Sequence, residues 1–217
     1  MSFLIRVQVP DTPGTLGAVA SALGGVDADI LSVDVVERGS GVAVDDMVVE
    51  LPSGTLPDVL ITAAEAVDGV EVDAVRPYAG VLDTHRELEL IEQIAESPRE
   101  GMRLLAAGVP RIIRAGWSLV VSRSEAGIER LAASEAAPEA PLDDVPWLPL
   151  ERATVLDVER SWVPQTWRDL GTELAATPLG KPQRALLVGR PGGPVYRTSE
   201  VARLAHLTGI IAAMLEN

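Results

Sequence analysis

The hexapeptide DTPGTL at residues 11–16 is the segment of this sequence best suited to bind a small molecule. Pro13 fixes φ for a first helical position, and Thr12 can cap the helix that follows. Gly14 has no side chain, so its backbone amide is open to the mouth of the loop. Free N–H groups at a helix start favour negative charge. The turn therefore predicts a site for a small anionic or zwitterionic ligand.

The hydrophobic pattern around this turn predicts a β-α-β-β-α-β unit. Apolar residues alternate in the predicted strands, recur every three to four residues in the predicted helices, and are interrupted by Gly39-Ser40-Gly41 at a hairpin. The predicted strands cover 3–9, 30–38, 42–51 and 70–75, and the predicted helices begin at Thr12-Pro13 and at Pro57. Two interleaved right-handed crossovers then give one sheet with both helices on one face.

This order around a Pro-Gly turn resembles the ACT domain, over residues 3–78. The resemblance implies a ferredoxin-like sandwich that binds an amino acid between two paired copies. The ligand carboxylate would lie near the turn amides, and Asp11 and Asp29 would hold the ammonium group. Such domains often carry asparagine where this chain has Asp29, so Asp29 is either a contact to a cationic group or a solvated side chain. The ligand-binding residues that the resemblance implies are Asp11, Thr12, Gly14, Thr15, Leu16, Asp29 and Ile30.

Residues 80–217 are predicted to form a second domain, after a first domain over 1–79. Two apolar-striped helices, the first opened by a capping box at Thr84, precede a predicted hairpin. A proline-rich acidic loop over 135–149 follows, then a short helix near 150–156 and two further strands. The last strand, the turn GRPGGPVY and an amphipathic helix end the chain in the order of a GAF domain, which residues 84–217 resemble. The expected fold class is α+β, with an antiparallel sheet in this second domain.

Four aromatic residues are candidates for a second pocket, because GAF domains bind small molecules in a cavity over their sheet. They are Trp117, Trp162, Trp167 and Tyr196. Packing in the core is the favoured alternative. Thioether attachment of a bilin is excluded because the chain has no cysteine, and the NKFDE motif of some cyclic-nucleotide-binding GAF domains is absent.

The sequence carries no recognisable catalytic set. His85 and His206 have no partner at metal-ligand spacing, and neither G-x-S-x-G nor H-E-x-x-H occurs. GRPGGPVY lacks the spacing of a phosphate loop, and two prolines remove amides that a phosphate would need. We therefore expect a protein that is not an enzyme and holds neither metal nor cofactor.

The charge distribution restricts the partners. The chain of 217 residues has a formal net charge of −14, and residues 1–80 hold 3 Arg against 13 Asp or Glu, a net charge of −10. Nucleic acid and anionic membranes are therefore disfavoured partners. No segment has the length of a membrane span, no signal peptide is recognisable and cysteine is absent, so a cytoplasmic protein is expected.

These features predict a small-molecule sensor or regulatory protein that binds an amino acid at a homodimer interface. Two alternatives stay open. One is a structural dimerisation protein whose ACT-like domain no longer binds a ligand. The other is an accessory subunit of an enzyme of amino-acid metabolism.

Overall fold

Two antiparallel sheets, one in each half of the chain, organise this protein. The structure is a computed structural model that describes residues 1–78, 85–142 and 144–216. The chain divides into two compact units, Met1–Leu82 and Asp83–Asn217. The predicted domain boundary between residues 79 and 80 and the predicted capping residue Thr84 lie outside the described residues. The α+β class expected from the sequence is confirmed.

The first unit has the β-α-β-β-α-β order that the sequence predicts. Its elements are β1 (Ser2–Pro10), α1 (Thr15–Gly24), β2 (Asp29–Gly39), β3 (Val42–Glu50), α2 (Asp58–Glu65) and β4 (Glu71–Pro77). The strand order is β2-β3-β1-β4, and every neighbouring pair is antiparallel. Strands β1 and β2 are therefore parallel to each other with β3 between them, and α1 is the crossover that joins them.

The core of the first unit lies between one face of the sheet and the two helices. The side chains of β1 alternate, so that one set faces α1 and α2 and the other set lies on the opposite face. The helix-facing set of β1 and the helix residues that cover it are Phe3, Ile5, Val7, Val9, Val19, Leu23, Leu60 and Ala64, all buried. On the opposite face Arg6 and Asp46 form a buried ion pair across β1 and β3.

The second unit is built on a five-stranded sheet. Its elements are α3 (Arg86–Glu96), a 3₁₀ turn (Pro98–Glu100), α4 (Gly101–Ile112), β5 (Trp117–Ser124), β6 (Gly127–Ala133), β7 (Thr154–Leu156), α5 (Gln165–Asp169), β8 (Glu173–Leu179), β9 (Lys181–Arg190) and α6 (Thr198–Leu215). The strand order is β6-β5-β9-β8-β7. The predicted helix near 150–156 is wrong: the β-branched Thr154 and Val155 instead pair with β8 and complete one side of the sheet.

Each face of this second sheet has its own core. Helices α4 and α6 pack on one face and α3 packs against these two helices, so that Ile94, Leu105 and Leu204 belong to one buried cluster with strand residues such as Val188. The connection between β6 and β8 covers the other face with Leu142, Val145 and Leu148 among others. Among the described residues no helix has the length and apolar character needed to cross a bilayer.

Candidate functional site

A pocket of about 290 Å³ lies where β1 ends and α1 begins. The turn predicted from the sequence forms much of its wall, and strands β2 and β3 supply the rest. The lining residues are Val9, Pro10, Asp11, Thr12, Pro13, Gly14, Thr15, Leu16, Val35, Arg38, Ala43 and Asp45. Five of the seven predicted ligand-binding residues are therefore brought together in one concave site.

The local structure of the turn differs from the prediction in where the helix starts. Helix α1 begins at Thr15, because Gly14 adopts a left-handed conformation with φ of 98° and serves as the N-cap. Thr12 does not cap the helix, since its hydroxyl bonds that of Thr15 at 2.9 Å. Helix geometry leaves the N–H groups of Leu16 and Gly17 without acceptors inside the helix. Amides suited to an anion are thus present, two residues later in the chain than a helix starting at Pro13 would place them.

Asp11 does not have the free carboxylate that the sequence suggests. Its two oxygens accept hydrogen bonds from the Arg38 guanidinium of β2, at 2.5 and 3.2 Å. The Asp11 backbone N–H also donates to the Gly41 carbonyl at 2.9 Å, which ties the turn to the β2–β3 hairpin. Asp11 therefore anchors the rim of the pocket through Arg38, and a ligand ammonium would have to compete with that guanidinium.

A different carboxylate, that of Asp45, lies inside the pocket wall. Asp45 is opposite Val7 of β1 and Val35 of β2, on the helix-facing side of the sheet. Its exposed fraction is 0%, and neither carboxylate oxygen has a hydrogen-bond partner among the residues that the structure describes. Burial raises the pKa of Asp45 above the ordinary value, Arg38 works against that increase, and the negative charges of Asp46 and Asp11 add to it.

The alternation of side chains in β3 predicts that Asp45 is buried. In the strand VAVDDMVVE, position 45 has the same parity as Met47 and Val49, whose side chains face the helices. Two consecutive acids in an apolar strand must place one of them on the buried face, because successive side chains point to opposite faces.

Asp29 and Ile30 are not brought to the pocket within one chain. Asp29 begins β2 and is paired with Glu50, which also pairs with Ser2 at the start of β1. The turn follows the other end of β1, at Pro10, so the two places are separated by about 25 Å along the strand. The role of Asp29 and Ile30 in a shared site stays a prediction that only a second chain can satisfy.

The four aromatic residues proposed for a second pocket do not share one. Trp117 and Trp167 are buried together with ring centroids 4.7 Å apart, while Tyr196 belongs to the core on the other face of the sheet. Trp162 instead packs edge-on against Trp147 in a surface groove of about 950 Å³. Packing in the core is therefore the role of three of the four.

The turn GRPGGPVY is organised around a buried arginine. The Arg190 guanidinium, with no exposed side-chain surface, donates to the carbonyls of Ile113 and Pro194 and to the Glu200 carboxylate at 2.7–3.1 Å. It also stacks over the Tyr196 ring, 4.0 Å from the centroid. These contacts give the turn a structural role that fixes the start of α6. A phosphate-binding role has no support here.

No metal centre is formed by the described residues. His85 is exposed next to the first residue of α3, and His206 is exposed on α6. Among the described residues, no three His, Cys, Asp or Glu side chains are placed to share a metal ion.

Comparison with known proteins gives low similarities. No family model and no curated protein matches the chain. Among solved structures, a GAF domain from Pseudomonas syringae pv. tomato is 16% identical with a TM-score of 0.42, over 61% of this chain and 88% of that one. The GAF domain of an Acinetobacter phosphoenolpyruvate-protein phosphotransferase is 10% identical with a TM-score of 0.38, over 62% and 95%.

A formyltetrahydrofolate deformylase from Pseudomonas putida KT2440 is also similar, with 15% identity and a TM-score of 0.30 over 47% of this chain. This chain covers 40% of the deformylase. GAF domains are thus among the structural neighbours, and TM-scores below 0.5 assign neither family nor function. These comparisons do not support the ACT resemblance, which stays a prediction for the first unit.

Proposed function

We propose that this protein is a cytoplasmic regulatory protein whose first unit binds an amino acid. The observation that carries the proposal is the pocket of about 290 Å³ built on the turn at residues 11–16. Its wall includes the N-terminal end of α1, where backbone N–H groups attract a carboxylate. Its apolar lining, Val9, Leu16, Val35 and Ala43, suits a short aliphatic side chain. An amino acid of moderate size fits both the volume and this arrangement.

Binding is proposed to control self-association, because the pocket lies next to an exposed sheet edge. Strand β2 pairs only with β3 in the described sheet, and it exposes Leu31, Val33 and Val35. An unpaired strand with apolar side chains is a template for pairing with a second chain. Val35 and Arg38 belong both to this strand and to the pocket lining. A second copy paired along β2 would therefore approach the ligand, and the ligand would stabilise the dimer.

The second unit is proposed to be a GAF-type domain that receives this signal. The support is its own topology: an antiparallel sheet, then a final strand, a glycine-rich turn and a long closing helix. This order is the basis of the GAF resemblance in the sequence.

The test is a thermal-shift screen of the full chain against the twenty amino acids, followed by sedimentation with the best ligand. At a hundredfold excess over Kd, binding stabilises the folded unit by about 2.7 kcal/mol, which corresponds to a shift of several degrees. Gly14→Val should abolish the response, because a branched side chain is strained at φ of 98° and disturbs the N-cap. Gly54→Val is the matched control, since Gly54 also has positive φ (89°) and does not line the pocket.

The exposed apolar strand β2 also favours a second candidate function, a dimerisation module that binds no ligand. The two candidates differ in one measurement. A dimer whose dissociation constant is the same with and without each of the twenty amino acids supports the dimerisation module and contradicts the sensor.

A further inference from the structure

We propose that Asp45 is the residue that recognises the ligand, by pairing with its ammonium group, and that the pocket therefore selects amines over otherwise identical hydroxy acids. This inference rests on the proposed function, because it concerns the same pocket. Asp45 was not among the residues that the sequence or the ACT resemblance assigned to ligand binding.

The first support is the state of the Asp45 carboxylate. It is completely buried, lines the pocket, and neither of its oxygens accepts a hydrogen bond from the described residues. A buried carboxylate without a partner is unfavourable by several kcal/mol, and folded proteins generally pair such groups. A ligand that supplies N–H donors and a positive charge is the natural partner.

The second support is the contrast with the adjacent residue. Asp46 is equally buried, but it accepts two hydrogen bonds from Arg6, at 2.7 and 2.8 Å. Within the described part of the chain, a buried arginine thus donates to one of two neighbouring aspartates and none donates to the other. The cation that lines the pocket, Arg38, is bound to Asp11 and keeps an exposed side chain.

The third support is the placement of the two charges that an amino acid carries. The start of α1 and Asp45 line the same pocket, one attracting a carboxylate and the other an ammonium group. Charge-assisted hydrogen bonds from an ammonium to a buried carboxylate are among the stronger polar contacts in proteins. A hydroxy acid of the same shape satisfies the amides and leaves Asp45 without its cation.

Affinity for the ligand should depend on pH through the ionisation of Asp45. Asp45 must be ionised to bind an ammonium group, and burial raises its pKa in the ligand-free chain. The charged groups that act on it are Arg38 from β2, Asp11 from the turn, and Asp46, whose side chain lies on the opposite face of the sheet. Affinity should therefore fall as the pH is lowered through the raised pKa of Asp45, and Asp45→Asn should lose this dependence.

The experiment is calorimetric titration of the full chain with L-valine, 2-hydroxyisovalerate and isobutylammonium, which differ only in the amino or carboxyl group. The variants are Asp45→Asn and Asp68→Asn, an exposed control with the same change in charge. We expect wild type and Asp68→Asn to prefer L-valine to its hydroxy acid. We expect Asp45→Asn to lose roughly 10- to 100-fold in affinity for L-valine and to keep its affinity for 2-hydroxyisovalerate.

Equal binding of L-valine and 2-hydroxyisovalerate to wild type would overturn the inference and leave the proposed function in place. Equal affinity of Asp45→Asn and wild type for L-valine would do the same. Binding of isobutylammonium alone, lost in Asp45→Asn, would support the role of Asp45 and contradict the amino-acid function. Absence of binding by all three compounds would overturn both. Circular dichroism of Asp45→Asn establishes that the variant is folded.

Discussion

Asp45→Asn and Asp46→Asn are the same chemical change at adjacent positions, and we expect them to alter the stability of the ligand-free first unit in opposite directions. Both side chains are buried in β3, and they point to opposite faces of the sheet. The only difference that matters is the partner. Arg6 binds both oxygens of Asp46, and no described group donates to Asp45.

The magnitudes follow from this difference. Asp46→Asn removes the carboxylate that pairs with the Arg6 guanidinium, which is 1% exposed, and breaking such a buried pair costs about 3–5 kcal/mol. Asp45→Asn removes a buried charge whose oxygens accept no hydrogen bond from the described residues, a group that destabilises by several kcal/mol and is offset in part by the charge of Arg38. The new amide keeps part of that cost, so the expected gain in unfolding free energy is about 1 kcal/mol.

The assay must separate the two units of the chain. All four tryptophans, Trp117, Trp147, Trp162 and Trp167, lie in the second unit, so tryptophan fluorescence reports only that unit. Amide hydrogen exchange on β1 and β3 of the full chain reports the first unit, with β5 and β9 as the internal reference. We expect slower exchange in β1 and β3 for Asp45→Asn, faster exchange for Asp46→Asn, and no change in β5 for either.

The difference in stability between wild type and Asp45→Asn should depend on pH in a known direction. Because burial raises the pKa of Asp45, the folded state binds its proton more tightly than the unfolded chain does. Wild type should lose stability relative to Asp45→Asn as the pH rises from the ordinary Asp value, about 3.9, through the raised pKa. Below that window the two proteins should be equally stable. A destabilising Asp45→Asn at neutral pH would refute the reasoning, because it would show that Asp45 has a partner in the ligand-free protein.

Two further predictions concern packing and association. Gly189→Ala places a Cβ 2.1 Å from the Trp117 ring, which Trp167 holds in place, so the second unit should lose roughly 1–3 kcal/mol or more in a denaturation followed by tryptophan fluorescence. Gly209→Ala in α6, where the new Cβ contacts nothing, should instead gain up to about 1 kcal/mol, and equal effects would contradict the packing argument. Val33→Lys on the exposed edge of β2 should weaken ligand-dependent dimerisation in sedimentation without lowering the unfolding free energy, and an unchanged dimer would exclude this edge as the interface.

Local pattern was sufficient to predict the architecture of the first unit. The period of two in β1 and the stripe ending at Leu23 in α1 depend on burial against one core, and the structure has that core. The start of α1 was predicted less well, because Pro13 has φ suited to a helix whether or not a helix begins there. The positive φ of Gly14 makes it the N-cap, so the helix starts one residue later, and sequence pattern alone does not reveal this φ.

The features of the site that the sequence did not predict depend on pairing between residues that are distant in the chain. Asp11 looks free in a list of residues, and the fold brings Arg38, 27 positions later, onto both of its oxygens. The exposed turn residues were easier to find than Asp45, because an acid in an apolar strand is normally assigned to solvent. Its burial follows from strand parity, and its lack of a partner follows only from the register of β1, β2 and β3.

The pair Asp45 and Asp46 also bears on why a chain would retain an unsatisfied carboxylate. The first unit already carries excess negative charge, so a buried anion that accepts no hydrogen bond from the described residues makes its ligand-free state less stable. A local conflict of this kind is expected where function outweighs stability. A cation bound at Asp45 removes the conflict only in the occupied state, so occupancy and folding stability become linked. The same residue can thus provide both selectivity for an amine and the free-energy difference that a sensor needs.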